Sequence, residues 1–187
     1  MKILVTIVLT TAAIAAIVFG YVRSGSFDVA ADQPHSPLVT WLAQTTRERS
    51  IAKRLQGIEV PDLGDAAMIA SGANEYAQMC AGCHLGPGVV DNEFRRGLNP
   101  AAPELAKASP GAGAAAAARQ FWIVKHGISM TAMPAWGATH DDPTLWSIVA
   151  FLQRLPTLSA GQYAEMTANS ESAHDEHAHE HDETAHP

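Results

Sequence analysis

The amino-acid sequence predicts an all-α chain: one small helical domain, preceded by a membrane-spanning helix and followed by an acidic tail. Three observations carry this. No stretch of more than four residues reads as a strand, whereas apolar residues recur at helical spacing in several segments. Ser, Asp and Pro stand where those segments begin, and Gly or Pro where they stop. Charge divides the chain as well: residues 1–60 carry six Lys/Arg against four Asp/Glu, residues 61–160 six against eight, and residues 161–187 none against seven. The tail thus equals the whole net charge of −7, and nothing basic remains to suit nucleic acid.

Residues 3–22 carry no charge and, at 1.5 Å per residue, extend about 30 Å, enough for a bilayer's hydrocarbon core. The alternative is a cleaved signal peptide, whose apolar region is typically about 7–15 residues long. The best small-residue cleavage site, Val29-Ala30-Ala31, also lies well past the run. The expectation is an uncleaved anchor over residues 1–23. Lys2 and Arg23 flank it and hardly decide its orientation.

Residues 24–60 read as a linker and an amphipathic helix. Ser36-Pro37 places an N-cap and a proline at the first helical position. Leu38, Trp41, Leu42, Ile51, Ala52 and Leu55 then follow near helical spacing, with Gly57 as a stop. Arg47, Arg49, Lys53 and Arg54 make this helix basic. It either lies near anionic headgroups or an acidic partner, or packs against the domain that follows.

That domain occupies residues 61–160. Asp65 can cap a helix through about Gln78, with Gly72 and Tyr76 one turn apart on one face. Residues 85–110 are rich in glycine and proline and predict a loop wrapped around a buried object. Residues 112–126 predict a helix, alanine-rich and then amphipathic through Phe121, Trp122 and Val124, and Gly127 ends it. Asp142-Pro143 starts the last core helix, which runs through Leu155 until Pro156 stops it.

Cys80-Ala81-Gly82-Cys83-His84 holds both cysteines of the chain and is the attachment signature of c-type haem. Two thiols on one helical turn can each add to a vinyl group of the same porphyrin. The next residue then sets an imidazole beneath the iron. Structural zinc needs about four ligands, and no second Cys pair exists. A thioredoxin-like redox pair wants a βαβ setting, and a Cys80–Cys83 disulfide leaves His84 unexplained. The expected cofactor is therefore one haem c, covalently held by Cys80 and Cys83 with His84 on the iron. In bacteria such attachment takes place outside the cytoplasmic membrane, which puts the domain on the periplasmic side of that membrane, or free in the periplasm if the leader is cleaved.

Residues 61–160 resemble the class I cytochromes c. Gly72 and Tyr76, eight and four residues before Cys80, resemble that family's first helix, where a glycine permits a close crossing and an aromatic packs on the terminal helix. The stretch from Asp142 to Leu152 is similar to the terminal helix, with Trp146 and Val149 as crossing contacts. Thr131-Ala132-Met133-Pro134-Ala135-Trp136 resembles the loop that carries the second axial ligand. The resemblance implies a cytochrome c fold, His84 and Met133 on the iron, and Pro103 as the carbonyl that orients His84. Met130, or a bis-histidine iron through His126 or His140, is the alternative to Met133; Pro100 and Pro87 are the alternatives to Pro103. Trp122 and Trp136 line the haem or serve ordinary core packing, and Lys125 and His126 can pair with propionates. A thioether favours Fe(II) and leaves no open position, so the iron exchanges electrons instead of binding oxygen.

Residues 161–187 predict an acidic, disordered tail without large apolar side chains in its last part. His174, His177, His179, His181 and His186, set among acids, are candidate ligands for Zn, Cu or Ni; a solvated acidic tail with incidental histidines, or a purification tag, is the alternative.

The reading that results is a mono-haem, membrane-tethered electron carrier, not itself an enzyme. Its donor would be a quinol-oxidising complex or a dehydrogenase, and its acceptor an oxidase or reductase. The rivals are a haem enzyme or sensor with a displaceable sixth ligand, a metal-handling protein acting through its tail, and a fixed subunit of a larger oxidoreductase complex.

Overall fold

A computed structural model describes residues 1–108, 111 and 113–168, which fall into two compact units, Met1–His35 and a second that begins at Ser36. Every regular element among the described residues is a helix, and none is a strand. The five tail histidines from His174 to His186 lie outside the described residues.

The first unit is built on α1 (Lys2–Arg23), whose most apolar eighteen residues have a mean hydropathy of 2.5. At 1.5 Å per residue its 22 residues are about 33 Å long, sufficient to cross a membrane. None of its side chains is buried.

The second unit opens with α2 (Pro37–Lys53). Ser36 Oγ accepts the Val39 N–H and Pro37 takes the first helical position, as the capping pattern predicts. The C-terminal half of α2 packs on the domain: Ile51 is buried, and Glu48 bonds Arg119 at 2.6 Å. The helix ends at Lys53, one turn before the expected stop at Gly57.

The core is a crossing of α3 (Ala66–Met79) and α7 (Asp142–Arg154). Asp65 Oδ1 caps α3 through Met68 N, and Asp141 caps α7 through Thr144 N. Every residue of α7 from Leu145 to Leu152 is buried, so the helix is enclosed on all sides. Gly72 makes the crossing possible: a Cβ there would meet Ser147 O at 1.9 Å. Val149 is buried as expected, while Trp146 stacks flat on Phe121 of α6 (Ala114–His126) at 4.0 Å. The close crossing therefore falls on the main chain of Ser147, between the two side chains expected to make it.

Two further parts differ from expectation. The loop after His84 contains one helical turn, α5 (Glu93–Arg96), because Asn92 accepts the Arg95 N–H as a cap. Helix also extends over residues 160–168, past the boundary expected at residue 160. Tyr163, Met166 and Thr167 recur there at helical spacing, and Tyr163 is buried against Tyr76 and Phe151. Burial of one aromatic turns the start of the tail into part of the core.

Candidate functional site

The site begins where α3 ends. Cys80 terminates α3, and a further turn, α4 (Ala81–His84), brings Cys83 and His84 round with Cys83 N–H and His84 N–H donating to Cys80 O. Cys80 is buried and Cys83 half-buried, both as free thiols. Burial pushes the Cys80 thiol up to about 12, with Cys83 and then Glu75 adding to the effect. Leu85 follows at φ +58, a left-handed conformation that costs about 1–3 kcal/mol for a side chain of this kind. The Tyr76 hydroxyl donates to Leu85 O and Leu85 N–H donates to Ala81 O, which hold it there.

His84 is positioned from across the loop. Its Nδ1 lies 2.9 Å from the carbonyl oxygen of Pro103. A carbonyl only accepts, so Nδ1 carries the proton and the lone pair of Nε2 is left to bind a metal. Burial lowers the pKa of His84 below its ordinary 6.5 and the Arg95 charge lowers it further, against the Pro103 hydrogen bond. The ring is thus held neutral, the form that ligates. Pro100 and Pro87, the alternative acceptors, do not make this bond; Leu105 N–H returns to His84 O and locks the same pair of segments.

Arg95 holds the segment that supplies the carbonyl. From α5 its Nη2 donates to Ala102 O at 2.9 Å and stands 3.7 Å from Glu104, while Nη1 bonds Asp91 at 3.2 Å. Its Nε is buried without a hydrogen-bond partner. Asn92 ties the same turn to the cysteine motif, Nδ2 donating to Gly82 O at 2.8 Å. Gly86 lies under the Tyr163 ring, where a Cβ would stand 2.5 Å from it. Sequence reasoning missed Arg95, Asn92 and Tyr163. An Asn cap before Glu93-Phe94-Arg95 and the spacing of Tyr163, Met166 and Thr167 were the available signals.

The opposite loop leaves α6 at Gly127, whose φ is +64 and whose missing Cβ makes room for the backbone of Met133 and Pro134. Ile128 N–H donates to Met133 O, Thr131 Oγ1–H to Ile128 O, and Met133 N–H to Thr131 Oγ1, closing a tight loop. Met133 sits half-buried at its base, packed against the core. Met130 stands at its tip, 98% exposed. His126 is exposed beside Trp122, and His140 Nδ1 bonds the Thr139 hydroxyl. Trp136 is half-buried against the core and edge-on to His140. Lys125, a candidate propionate partner, bonds Asp142 at 2.6 Å and ties α6 to α7.

These residues suit a covalently held haem: two free thiols on one turn, an oriented neutral imidazole, and a thioether on a second loop. They do not suit a structural ion. Among the described residues, no three His, Cys, Asp or Glu side chains converge to hold a metal by themselves.

Residues 67–152 match the family model described as cytochrome C oxidase, cbb3-type, subunit III. The match runs from the first turn of α3 into the last turn of α7, less than half of the chain. No curated protein and no solved structure matches.

Proposed function

Because residues 67–152 form a c-type cytochrome domain, we propose that the protein carries single electrons between membrane-associated respiratory partners. The domain implies haem c, which supplies an iron that cycles between Fe(III) and Fe(II). In this reading Cys80 and Cys83 hold the porphyrin by thioethers, His84 and Met133 are the axial ligands, and Pro103 orients His84. The observation that carries it is the hydrogen bond from His84 Nδ1 to Pro103 O, which turns the other ring nitrogen into a ligand.

Each residue has a definable task. His84 donates its Nδ1 proton to a carbonyl, which raises the basicity of Nε2. Met133 closes the second axial position, which keeps small ligands away from the metal. Tyr76 and Leu85 pin the backbone beside His84, and the aromatic core of Tyr76, Phe151 and Tyr163 excludes water from behind the motif. The apolar α1 fits a membrane-anchored protein. In this reading the haem domain stands on the outer face of the cytoplasmic membrane, where donor and acceptor are a quinol-oxidising complex or dehydrogenase and an oxidase or reductase.

The test is mass, spectrum and potential of the exported protein. We expect one haem in the intact mass, a red-end band from thioether ligation in the ferric state, and a reduced protein inert to CO. Met133→Ala should lower the potential and admit CO, and Met130→Ala should do neither. A matured protein without a Soret band, or one whose CO inertness depends on Met130, overturns the assignment.

The family match favours a second reading, in which the chain is a fixed subunit of a terminal oxidase. Mild solubilisation discriminates: a stoichiometric complex with an oxidase supports the subunit, and a free chain that reduces added oxidase supports the carrier.

A further inference from the structure

α2 carries along its length a face that neither its own unit nor the proposed electron transfer uses. At about 3.6 residues per turn, Leu38, Trp41, Leu42, Thr45, Arg49 and Lys53 share one side of the helix. All six are exposed, Leu38 by 64%, Trp41 by 60% and Leu42 by 49%. The opposite side packs on the domain through Ile51. Glu48, the one carboxylate of α2, is held by Arg119 and Arg47 at the edge of the face. Among the described residues neither Arg49 nor Lys53 pairs with a carboxylate.

We propose that this face of α2 lies on an anionic lipid surface, with Leu38, Trp41 and Leu42 among the upper acyl chains and Arg49 and Lys53 at the headgroups. Three observations select lipid over other occupants. The face joins aliphatic and aromatic side chains to free cations and presents no free carboxylate, the composition that suits an interface. Residues 24–36, the thirteen residues between α1 and α2, can extend at most about 45 Å, so α2 stays within reach of the bilayer that α1 is able to span. The acidic tail of the same chain would satisfy Arg49 and Lys53, but residues 169–187 contain no large apolar side chain to cover Trp41. A domain held by a spanning helix and by α2 has fewer orientations towards a membrane-embedded partner than one on a single tether.

Nitroxide accessibility tests this on the full haem-loaded chain in liposomes of phosphatidylcholine, with and without phosphatidylglycerol. One label sits on the face (T45C) and one on the other exposed side of α2 (A43C). We expect an oxygen-to-nickel-chelate collision ratio several-fold higher at T45C than at A43C with phosphatidylglycerol present. The difference should shrink without it and in the R49Q/K53Q variant. Equal ratios at the two positions overturn the proposal, as does a difference that ignores phosphatidylglycerol. Shielding of T45C from both reagents also overturns it, since a protein surface, either the tail or a second copy, then covers the face. Label stoichiometry separates this outcome from the haem reading: extra labels at Cys80 and Cys83 count against thioethers, and the chain without either substitution, labelled alike, gives the background to subtract from both T45C and A43C.

Discussion

Gly72 of α3 presses against the main chain of Ser147 in α7, with only 1.9 Å between the place of a Cβ and the Ser147 carbonyl oxygen. A backbone atom cannot swing aside as a flexible side chain can. Gly72→Ala should therefore part the two helices and destabilise the domain by about 3 kcal/mol or more, at the upper end of overpacking costs. Gly161→Ala is the control: a Cβ there meets nothing within 4 Å. Thermal unfolding followed at the haem and in the far-UV should show a large loss for the first and little change for the second.

Arg95 acts at a distance on the proposed proximal ligand. Through Ala102 O it fixes the residue next to Pro103, whose carbonyl takes the His84 proton. Replacing it by Met removes two charge-assisted bonds, each worth about 1.5–3 kcal/mol when made to a charged group, and the unfolding free energy should fall accordingly. The His84 Nδ1 proton should also exchange faster with solvent, read by NMR of the reduced protein. Arg95→Lys keeps the charge and loses the fork, so it should recover part of the unfolding free energy without restoring slow exchange. Slow exchange in both variants means that Pro103 is held without Arg95.

Glu48 makes docking of α2 on the domain pH-dependent. Its hydrogen bond from Arg119 lowers its pKa below the ordinary 4.5, against an opposing effect of burial and with Arg47 adding to the lowering. A carboxyl whose folded pKa is depressed stabilises the contact above its unfolded value and loses that contribution as the pH falls through the folded one. Amide protection factors in the C-terminal half of α2, which allow for slower intrinsic exchange in acid, should fall below pH 4.5 in the native protein. In Glu48→Gln they should already be lower at neutral pH and stay flat across that window.

Haem loading should precede folding. Cys80 is 6% exposed and its thiol is pushed up to about 12, so the folded, haem-free chain holds it protonated and enclosed at neutral pH. Iodoacetamide should alkylate Cys80 far more slowly than Cys83 in native buffer, and both at similar rates in denaturant. Equal rates in native buffer would mean that α3 opens readily without its cofactor.

The cysteine motif, the Ser36 and Asp65 caps and the stop at Gly127 were legible because each is a local rule, satisfied within one turn of chain. Pro103 and Met133 were named by resemblance; the structure sets Pro103 O against His84 Nδ1 and closes the loop that carries Met133. Arg95 was not, because its meaning lies in Ala102 and Glu104 brought alongside by loop closure, and an arginine followed by another arginine reads as solvated charge. The Lys125–Asp142 pair was not legible for the same reason: its two members lie on different helices.

By itself the sequence determined the helical class, the long apolar helix near the N-terminus and the cysteine–histidine motif, since periodicity, caps and spacing act over a few residues. Only the tertiary structure decided that the crossing rests on Gly72 and Ser147, that Tyr163 joins the core, and that Trp41 is left outside it. Those outcomes depend on which surfaces meet, and burial is a property of the whole packed chain that no short window contains.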